Sequence, residues 1–160
     1  AIWVDSTQNQ GTRFALYFPR YEGEDINKDQ VEVKSSASVK GRETILVVDD
    51  EAALLNLTCE ILIQQGYPIF RAECAEQALE IMAAEHIDLL LSDIVMPDMD
   101  GYALAAIVLR KYPAIKIQLA SGYASGERTS EVDKALSKNV LQKPYNTKTL
   151  LNRIRSLLQS

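Results

Sequence analysis

The 160-residue sequence is poor in the residues that staple small folds, since it contains only two cysteines and one histidine. Cys59 and Cys74 form neither a CxxC pair nor a zinc-finger spacing, which argues against a disulfide-rich secreted scaffold and a cysteine-held metal. We therefore expect two reduced thiols that pack as small apolar side chains in a cytosolic protein. His86, the single histidine, is interpreted as a residue at a helix end rather than a phosphorylated one.

Long hydrophobic runs are also missing. No apolar stretch approaches the roughly 20 residues that a membrane helix needs. The residues after Ala1 lack the basic start, apolar block and cleavage site of a signal peptide. The hydrophobic share of 47% is typical of a globular protein, and the length suits one domain plus an appendage. The expectation is a cytoplasmic chain without membrane contact.

Positive charge is scarce in the larger part of the chain. Residues 1–42 hold six acidic and six basic residues, whereas residues 43–160 hold 16 acidic and 11 basic ones. The whole net charge of −5 therefore belongs to residues 43–160. Phosphate contacts need clustered Lys and Arg, so nucleic acid is not an expected partner. An acidic domain is compatible with binding a cation.

From residue 44 onward, short apolar runs alternate with helical patterns. Strands are predicted at 44–50, 68–73, 87–93, 114–121 and 140–144, and helices at 51–65, 75–85, 102–112, 126–139 and 146–159. Five strands alternating with five helices favour an α/β fold, with a doubly wound parallel sheet and helices on both faces. In such sheets ligands bind at the carboxyl ends of the strands.

Polar residues come at the ends of four predicted strands. Asp49 and Asp50 end the first strand, Asp93 the third, Ser121 the fourth and Lys143 the fifth. Three converging carboxylates would repel one another, and Mg²⁺ is the cation that suits such oxygen ligands. A carboxylate can also act as a nucleophile that forms an acyl phosphate. A metal ion, a lysine and a hydroxyl are the groups that phosphoryl transfer needs around it.

Four motifs in order carry a resemblance to a known family. They are "VVDDE" at 47–51, "SDIVMPDMDG" at 92–101, "SGYA" at 121–124 and "KPY" at 143–145. Residues 44–160 resemble the receiver domain of two-component phosphorelays. The resemblance implies a flavodoxin-like, five-stranded parallel sheet with the strand order 2-1-3-4-5.

The resemblance also implies how the acidic residues act. Asp93 would be the phosphoacceptor and a metal ligand. Asp50 would bind Mg²⁺ directly, Asp49 would hold it through water, and the backbone carbonyl of Val95 would complete the protein ligands. These four residues would thus form the metal site of a receiver.

Two further roles and one departure follow from the same resemblance. Ser121 would be the switch hydroxyl, and Lys143 would pair first with Asp93 and then with the phosphoryl group. The peptide bond before Pro144 would be cis, as in the family. Val140, however, stands where the family often has Tyr or Phe. An aromatic readout of the switch therefore lacks its usual residue.

The loops that flank the site carry two more expectations. Val95 lies two residues after the predicted phosphoacceptor, and Tyr123 two after the switch hydroxyl. Neither side chain is suited to orient an attacking water, so we predict a slow loss of phosphate. Asp98 and Asp100 are interpreted as turn formers with Gly101.

The first twenty residues carry a second, shorter resemblance. Residues 1–20 alternate apolar and polar like two strands joined by a glycine-containing turn, and "QGTRFALYFP" resembles the last strand pair of a histidine kinase ATP-binding domain. Residues 21–43 are polar and are predicted to be a linker. The chain thus resembles the C-terminal piece of a hybrid sensor histidine kinase, cut inside the kinase domain. Residues 1–43 are expected to be loosely ordered, or docked on the receiver or on a second copy.

The sequence therefore predicts a phosphorelay receiver that accepts a phosphoryl group from a phosphohistidine. The expected donor is its own upstream kinase domain, and a histidine phosphotransfer protein is a further expected partner. The chain itself shows no kinase motifs, so it would catalyse only its own phosphotransfer and dephosphorylation. Whether the parent protein is anchored in a membrane stays open.

Two alternatives to this function stay open. One is a phosphorylation-inactive receiver that serves as a docking module. The other is an aspartyl-phosphate hydrolase, which would carry a second aspartate at the position of Val95.

Overall fold

The computed structural model of the chain describes residues 1–8, 11–18, 42–122, 136 and 139–159. The chain divides into two compact units, residues 1–37 and residues 38–160, and each is described by itself. The predicted division into residues 1–20, 21–43 and 44–160 stays a prediction. Most of the predicted linker and the predicted helix at 126–139 lie outside the described residues, apart from residues 42, 43, 136 and 139.

The first unit contains an antiparallel strand pair. Strand β1 (Ile2–Thr7) pairs with strand β2 (Gly11–Leu16) over six residues each. The terminal ammonium of Ala1 donates a hydrogen bond of 2.7 Å to the carbonyl of Tyr17, which extends the pairing by one step. The two predicted strands are confirmed, while residues 9 and 10 of the connecting turn lie outside the described part.

The second unit contains a five-stranded parallel sheet. Its strands are β3 (Ile45–Val48), β4 (Ile69–Ala72), β5 (Leu89–Asp93), β6 (Lys116–Ser121) and β7 (Leu141–Gln142). They lie in the order β4-β3-β5-β6-β7. Numbered within this unit alone, the order is 2-1-3-4-5, so the predicted topology is confirmed.

Four described helices cover the sheet. They are α1 (Ala52–Gln64), α2 (Ala75–Ala84), α3 (Gly101–Lys111) and α4, the C-terminal helix (Thr147–Leu158). Each lies within one residue of its predicted bounds, whereas the strands are up to two residues shorter at either end. Helix α3 begins after Asp100 and α4 after Asn146, and both side chains accept a 2.8 Å hydrogen bond from a backbone N–H of the first turn.

Alternate residues of each central strand point to opposite faces of the sheet, and a cluster of buried side chains covers each face. Ile45, Val47 and Leu91 pack against α1 and α4, while Leu46 and Leu90 pack in a second cluster with α2 and α3. Every residue of β3 and β5 is buried. Double-sided burial explains why these strands read as continuous apolar runs in the sequence.

Candidate functional site

Asp93 ends the central strand β5 and is buried, with 8% of its surface exposed. One carboxylate oxygen, Oδ2, accepts a hydrogen bond of 2.7 Å from the backbone N–H of Val95. The other, Oδ1, accepts one of 2.6 Å from the ammonium of Lys143. A charge-assisted bond and a backbone bond together offset the cost of burying an ionised carboxylate.

Asp49 follows the neighbouring strand β3 and is bound in the same way. Its Oδ1 accepts a hydrogen bond of 3.0 Å from the backbone N–H of Glu51, and its Oδ2 accepts one of 2.7 Å from Lys143. One ammonium therefore bridges two carboxylates, Asp49 and Asp93. Each carboxylate pairs one oxygen with Lys143 and the other with a backbone N–H two residues further along the chain.

Lys143 stays charged in this position. Burial lowers the pKa of Lys143, but the hydrogen bonds and negative charges of Asp49 and Asp93 outweigh it and raise the pKa above its ordinary value of 10.5. The ammonium is thus a permanent positive charge at neutral pH, held between two acidic groups.

The short edge strand β7 delivers Lys143 to the site. Only two of its residues pair with β6, Leu141 with Ala120 and Gln142 with Ser121. The backbone N–H of Lys143 then donates a 2.7 Å hydrogen bond to the carbonyl of Ser121. The peptide bond that follows, Lys143–Pro144, is cis, as the family resemblance implies.

The loop from β5 to α3 is shaped by close backbone contacts. The N–H of Gly101 donates to the carbonyl of Ile94 at 2.9 Å, and Asp98 has a positive φ of 62°. A Cβ on Gly101 would lie 2.1 Å from the carbonyl oxygen of Asp93, so no other residue fits without a shift of the loop. The interpretation as a turn residue fits Asp98, whereas Asp100 caps helix α3 and Gly101 is the first residue of that helix.

A cavity of about 570 Å³ opens over these groups. Its polar wall contains the acidic residues Asp49, Asp50, Glu51 and Asp93 together with Lys143. Its apolar wall is contributed largely by α1 and the segment after Lys143, and consists of Leu54, Leu57, Ile61, Pro144 and Tyr145, with Val95 and Gly122 also lining the opening.

The donor set fits a hard cation such as Mg²⁺. Carboxylate oxygens have lone pairs beyond the single hydrogen bond that each receives from Lys143 or a backbone N–H, and three carboxylates with a backbone carbonyl nearby are the ligands Mg²⁺ prefers. In the described part of the chain, no three acidic, histidine or cysteine side chains are already grouped tightly enough to hold a metal. The ammonium of Lys143 lies between Asp49 and Asp93 instead.

The structure brings most of the predicted site residues to one place. Asp49, Asp93 and Lys143 are joined by direct hydrogen bonds, and Asp50 and Val95 line the same cavity. Ser121, the fourth-strand hydroxyl, is 2% exposed at the end of β6, where it pairs with Gln142 and its carbonyl accepts the backbone N–H of Lys143. Tyr123 lies outside the described residues.

Sequence reasoning missed two contributions to the site. The backbone N–H of Glu51 and that of Val95 carry no sequence signal, since any residue except proline supplies one. The sequence predicted α1 as a helix, but it did not predict that apolar side chains of α1 line the site. Leu57 on this apolar wall is 56% exposed, which the apolar pattern of the helix does not indicate.

Residues 45–155 match the response regulator receiver domain family. The match covers more than half of the chain, and with the fold and the acidic site it shows that the chain belongs to this family. The chain therefore contains a receiver domain of two-component signal transduction. Receiver domains bind Mg²⁺ and interact with histidine kinases and histidine phosphotransfer proteins.

Two curated relatives show different parts of the resemblance. Sensor kinase CckA of Brucella abortus is 30% identical over 166 residues, which cover 99% of this chain and 18% of that protein. Response regulator receiver protein CpdR of the same species is 32% identical over 114 residues, covering 71% of this chain and 95% of that protein. The chain thus spans less than a fifth of the sensor kinase, whereas its match covers nearly all of CpdR.

Solved structures agree on the fold. Response regulator TrrA from Thermotoga maritima, in complex with Mg²⁺ and BeF, superposes with a TM-score of 0.64 at 33% identity, covering 72% of this chain and 98% of that one. A CheY-like receiver domain from Methanospirillum hungatei gives 0.65 at 31% identity, with 74% and 95% covered. Among the described residues, no helix is long and apolar enough to cross a membrane.

Proposed function

We propose that the chain accepts a phosphoryl group from a phosphohistidine onto Asp93 in a Mg²⁺-dependent reaction and then switches conformation. The observation that carries this proposal is the ammonium of Lys143, hydrogen-bonded to Asp93 at 2.6 Å and to Asp49 at 2.7 Å beside an open cavity. An ionised carboxylate in reach of a fixed positive charge is the arrangement that a phosphoryl acceptor requires.

The residues divide the chemistry among them. An oxygen of Asp93 forms the new bond to phosphorus as the bond from phosphorus to the donor's imidazole nitrogen breaks, and the imidazole leaves with its electron pair. Lys143 neutralises charge on the phosphoryl oxygens. Asp49, Asp50 and Asp93, with the carbonyl of Val95, would hold Mg²⁺. The ion, when bound, offsets the repulsion between these carboxylates and the incoming anion.

Ser121 is proposed as the switch hydroxyl. It ends β6 next to the strand that carries Lys143, so a hydroxyl turned toward the new phosphoryl group would move the chain that follows it. Phosphorylation converts the singly charged carboxylate of Asp93 into an acyl phosphate that carries about two negative charges in a confined site. That charge favours one of two conformations of the domain, which is a population shift.

The surroundings of the cavity favour a protein as the physiological donor. Leu57 on α1 and Val95 beside the acceptor line the opening and are 56% and 58% exposed. A protein that carries a phosphohistidine could cover these side chains while it delivers its phosphoryl group, whereas a small phosphodonor would leave them in water.

We further propose that the parent protein is a hybrid sensor histidine kinase, that its own kinase domain is the donor, and that this part lies in the cytoplasm. A histidine phosphotransfer protein is the proposed further partner. Two findings support the proposal: the strand pair β1–β2, and the match to sensor kinase CckA, which covers 99% of this chain rather than the receiver alone. The parent's activity belongs to residues beyond this sequence.

The test of the acceptor is the intact mass after incubation with Mg²⁺ and acetyl phosphate. We expect the wild type to gain one phosphoryl group, Asp93→Asn to gain none, and His86→Asn, which changes the single histidine, to behave as the wild type. A gain in Asp93→Asn would refute the assignment of the acceptor. No gain in the wild type, even with a purified phosphorylated kinase, would favour the docking-module alternative.

A further inference from the structure

A buried polar side chain lies in β6, between the apolar residues Ile117 and Leu119. Gln118 is 1% exposed, and all its polar atoms have partners. Its amide nitrogen Nε2 donates to the carbonyls of Leu119 and Asn139, both at 2.7 Å. Its oxygen Oε1 accepts a hydrogen bond of 2.6 Å from Nε of Arg153 on the C-terminal helix.

Arg153 completes a cluster of three segments. A second guanidinium nitrogen donates to the same carbonyl of Asn139 at 3.2 Å, so that carbonyl receives hydrogen bonds from both Gln118 and Arg153. The cluster therefore ties β6 and the C-terminal helix to the residue that lies just before β7. Because one donor is a guanidinium, its bonds are stronger than those between neutral groups.

The segment so anchored is the one that carries Lys143. Strand β7 is an edge strand of two residues and contributes only two residue pairs of its own. Asn139 precedes it by two residues, and Lys143 follows directly, bonded through its backbone to Ser121. The cluster thus fixes residues 139–143 at one end, and the Ser121 carbonyl fixes them at the other.

We infer that Gln118 and Arg153 are positioning residues for Lys143, acting through Asn139 and the register of β7. A strand this short has little pairing of its own to hold its register. A slip by one residue would turn the side chain of Lys143 to the opposite face of the sheet. The chemical consequence, though not the geometry, rests on the proposed phosphoryl transfer.

The test separates positioning from general stability. Gln118→Leu keeps the size of the side chain and removes its hydrogen bonds, while Ile154→Val removes one methylene from the buried face of the same C-terminal helix and serves as the matched control. Amide hydrogen exchange is measured at Lys143, whose N–H is bonded to Ser121, and at the central strand β3. The phosphorylation rate is measured with saturating acetyl phosphate and Mg²⁺.

We expect Gln118→Leu to speed exchange at Lys143, relative to β3, by about tenfold, the factor for one lost charge-assisted hydrogen bond. The phosphorylation rate at saturating acetyl phosphate should fall by a similar factor. The concentration of acetyl phosphate that gives half of the maximal rate should not change. Ile154→Val should change both exchange rates together and leave phosphorylation unchanged. Arg153→Leu should resemble Gln118→Leu, and the double variant should be no worse than either one, as coupled partners require.

Equal acceleration at Lys143 and β3 in Gln118→Leu would overturn the inference, because it would show a global effect alone. So would selective exchange at Lys143 with an unchanged phosphorylation rate. A wild type that is never phosphorylated would contradict the proposed function. The exchange measurement would still decide whether the cluster holds Lys143, since it needs no phosphoryl transfer.

Discussion

Strand β5 has an aspartate at each end, and the two differ in the groups around them. Asp88 lies just before the strand, and its Oδ2 accepts a 2.7 Å hydrogen bond from the backbone N–H of Thr44. Asp93 ends the strand and accepts an equally short bond from Val95. The other oxygen of Asp88 meets the exposed ring of His86 at 3.1 Å, whereas that of Asp93 meets Lys143.

The difference indicates that crowding of like charges, rather than a capped carboxylate, distinguishes the end of the sheet at which we propose the phosphoryl-accepting site. Asp88 is the acidic partner of one N–H and one exposed ring, which suits a structural role. Asp93 shares a single ammonium with Asp49, and Asp50 lines the same cavity. Such a concentration of negative charge is costly unless a cation or a reaction makes use of it.

Replacing each aspartate by alanine should separate the two ends most strongly. Asp93→Ala should abolish phosphorylation by acetyl phosphate, because the accepting oxygen is gone. Asp88→Ala should keep phosphorylation and lower the free energy of unfolding by about 1 kcal/mol, since the N–H of Thr44 loses its partner. Intact mass and urea unfolding measure the two effects. Loss of phosphorylation in Asp88→Ala would break the comparison.

Removing the ammonium should have the next largest effect. Lys143→Met keeps much of the side chain's length but leaves Asp49 and Asp93 without their shared partner. We expect phosphorylation to slow by about 100-fold, the loss typical of one electrostatic contact to a transition state. Lys148→Met, which changes an exposed lysine of the C-terminal helix, is the matched control and should react at the wild-type rate. Equal rates in the two variants would contradict the role of Lys143.

The close packing of the backbone beside Asp93 can be tested by replacing two glycines with alanine, one at a time. In Gly101→Ala the new Cβ would lie 2.1 Å from the carbonyl of Asp93, whereas at Gly122, which also lines the cavity, a Cβ would meet nothing within 4 Å. We expect Gly101→Ala to lower the free energy of unfolding by about 2 kcal/mol through overpacking. Gly122→Ala should change it little. If thermal unfolding shows that Gly101→Ala is as stable as Gly122→Ala, the loop tolerates a side chain at Gly101.

Phosphate loss should respond to the residue next to the acceptor. Val95 is apolar and largely exposed, so it offers no hydrogen bond to an attacking water. Val95→Asn should speed hydrolysis of the phosphorylated protein by about tenfold, less than the roughly 100-fold of a positioned acid or base, because an amide only orients the water. Leu57→Asn, a similar change at another exposed apolar residue that lines the cavity, is the control. An unchanged half-life in Val95→Asn would count against the expectation of slow hydrolysis from apolar shielding.

Sequence reasoning reached the fold because local and global signals agree here. The runs around Leu46 and Leu90 are buried on both sides, so they are recognisable as continuous apolar segments without knowledge of a partner strand. The strand ends then indicated which polar residues meet. The contacts of Gln118 could not be predicted, since a single glutamine in an apolar run does not show that Arg153 and Asn139 reach it. Backbone donors such as the N–H of Val95 leave no trace in the sequence.

The smallest effect concerns pH. The pKa of Lys143 is raised because its bonds to Asp49 and Asp93 outweigh its burial. A lysine whose pKa is higher in the folded than in the unfolded state contributes stability that is fully present below the unfolded value of 10.5 and is lost as pH rises through the folded value. The contribution is small, because the group is only partly buried and water screens it.

Comparison with Lys143→Met isolates this contribution from the other groups that titrate in alkali. The free energy of unfolding of the wild type, minus that of the variant, should be constant from pH 7 to pH 9, about 1.5 units below the unfolded pKa. Above that pKa the difference should shrink, because the deprotonated amine no longer carries the positive charge that offsets the two carboxylates. Lys148→Met should show no such trend. A difference that grows with pH would mean that the ammonium is not stabilised by Asp49 and Asp93, and that the two ends of β5 differ less than their contacts indicate.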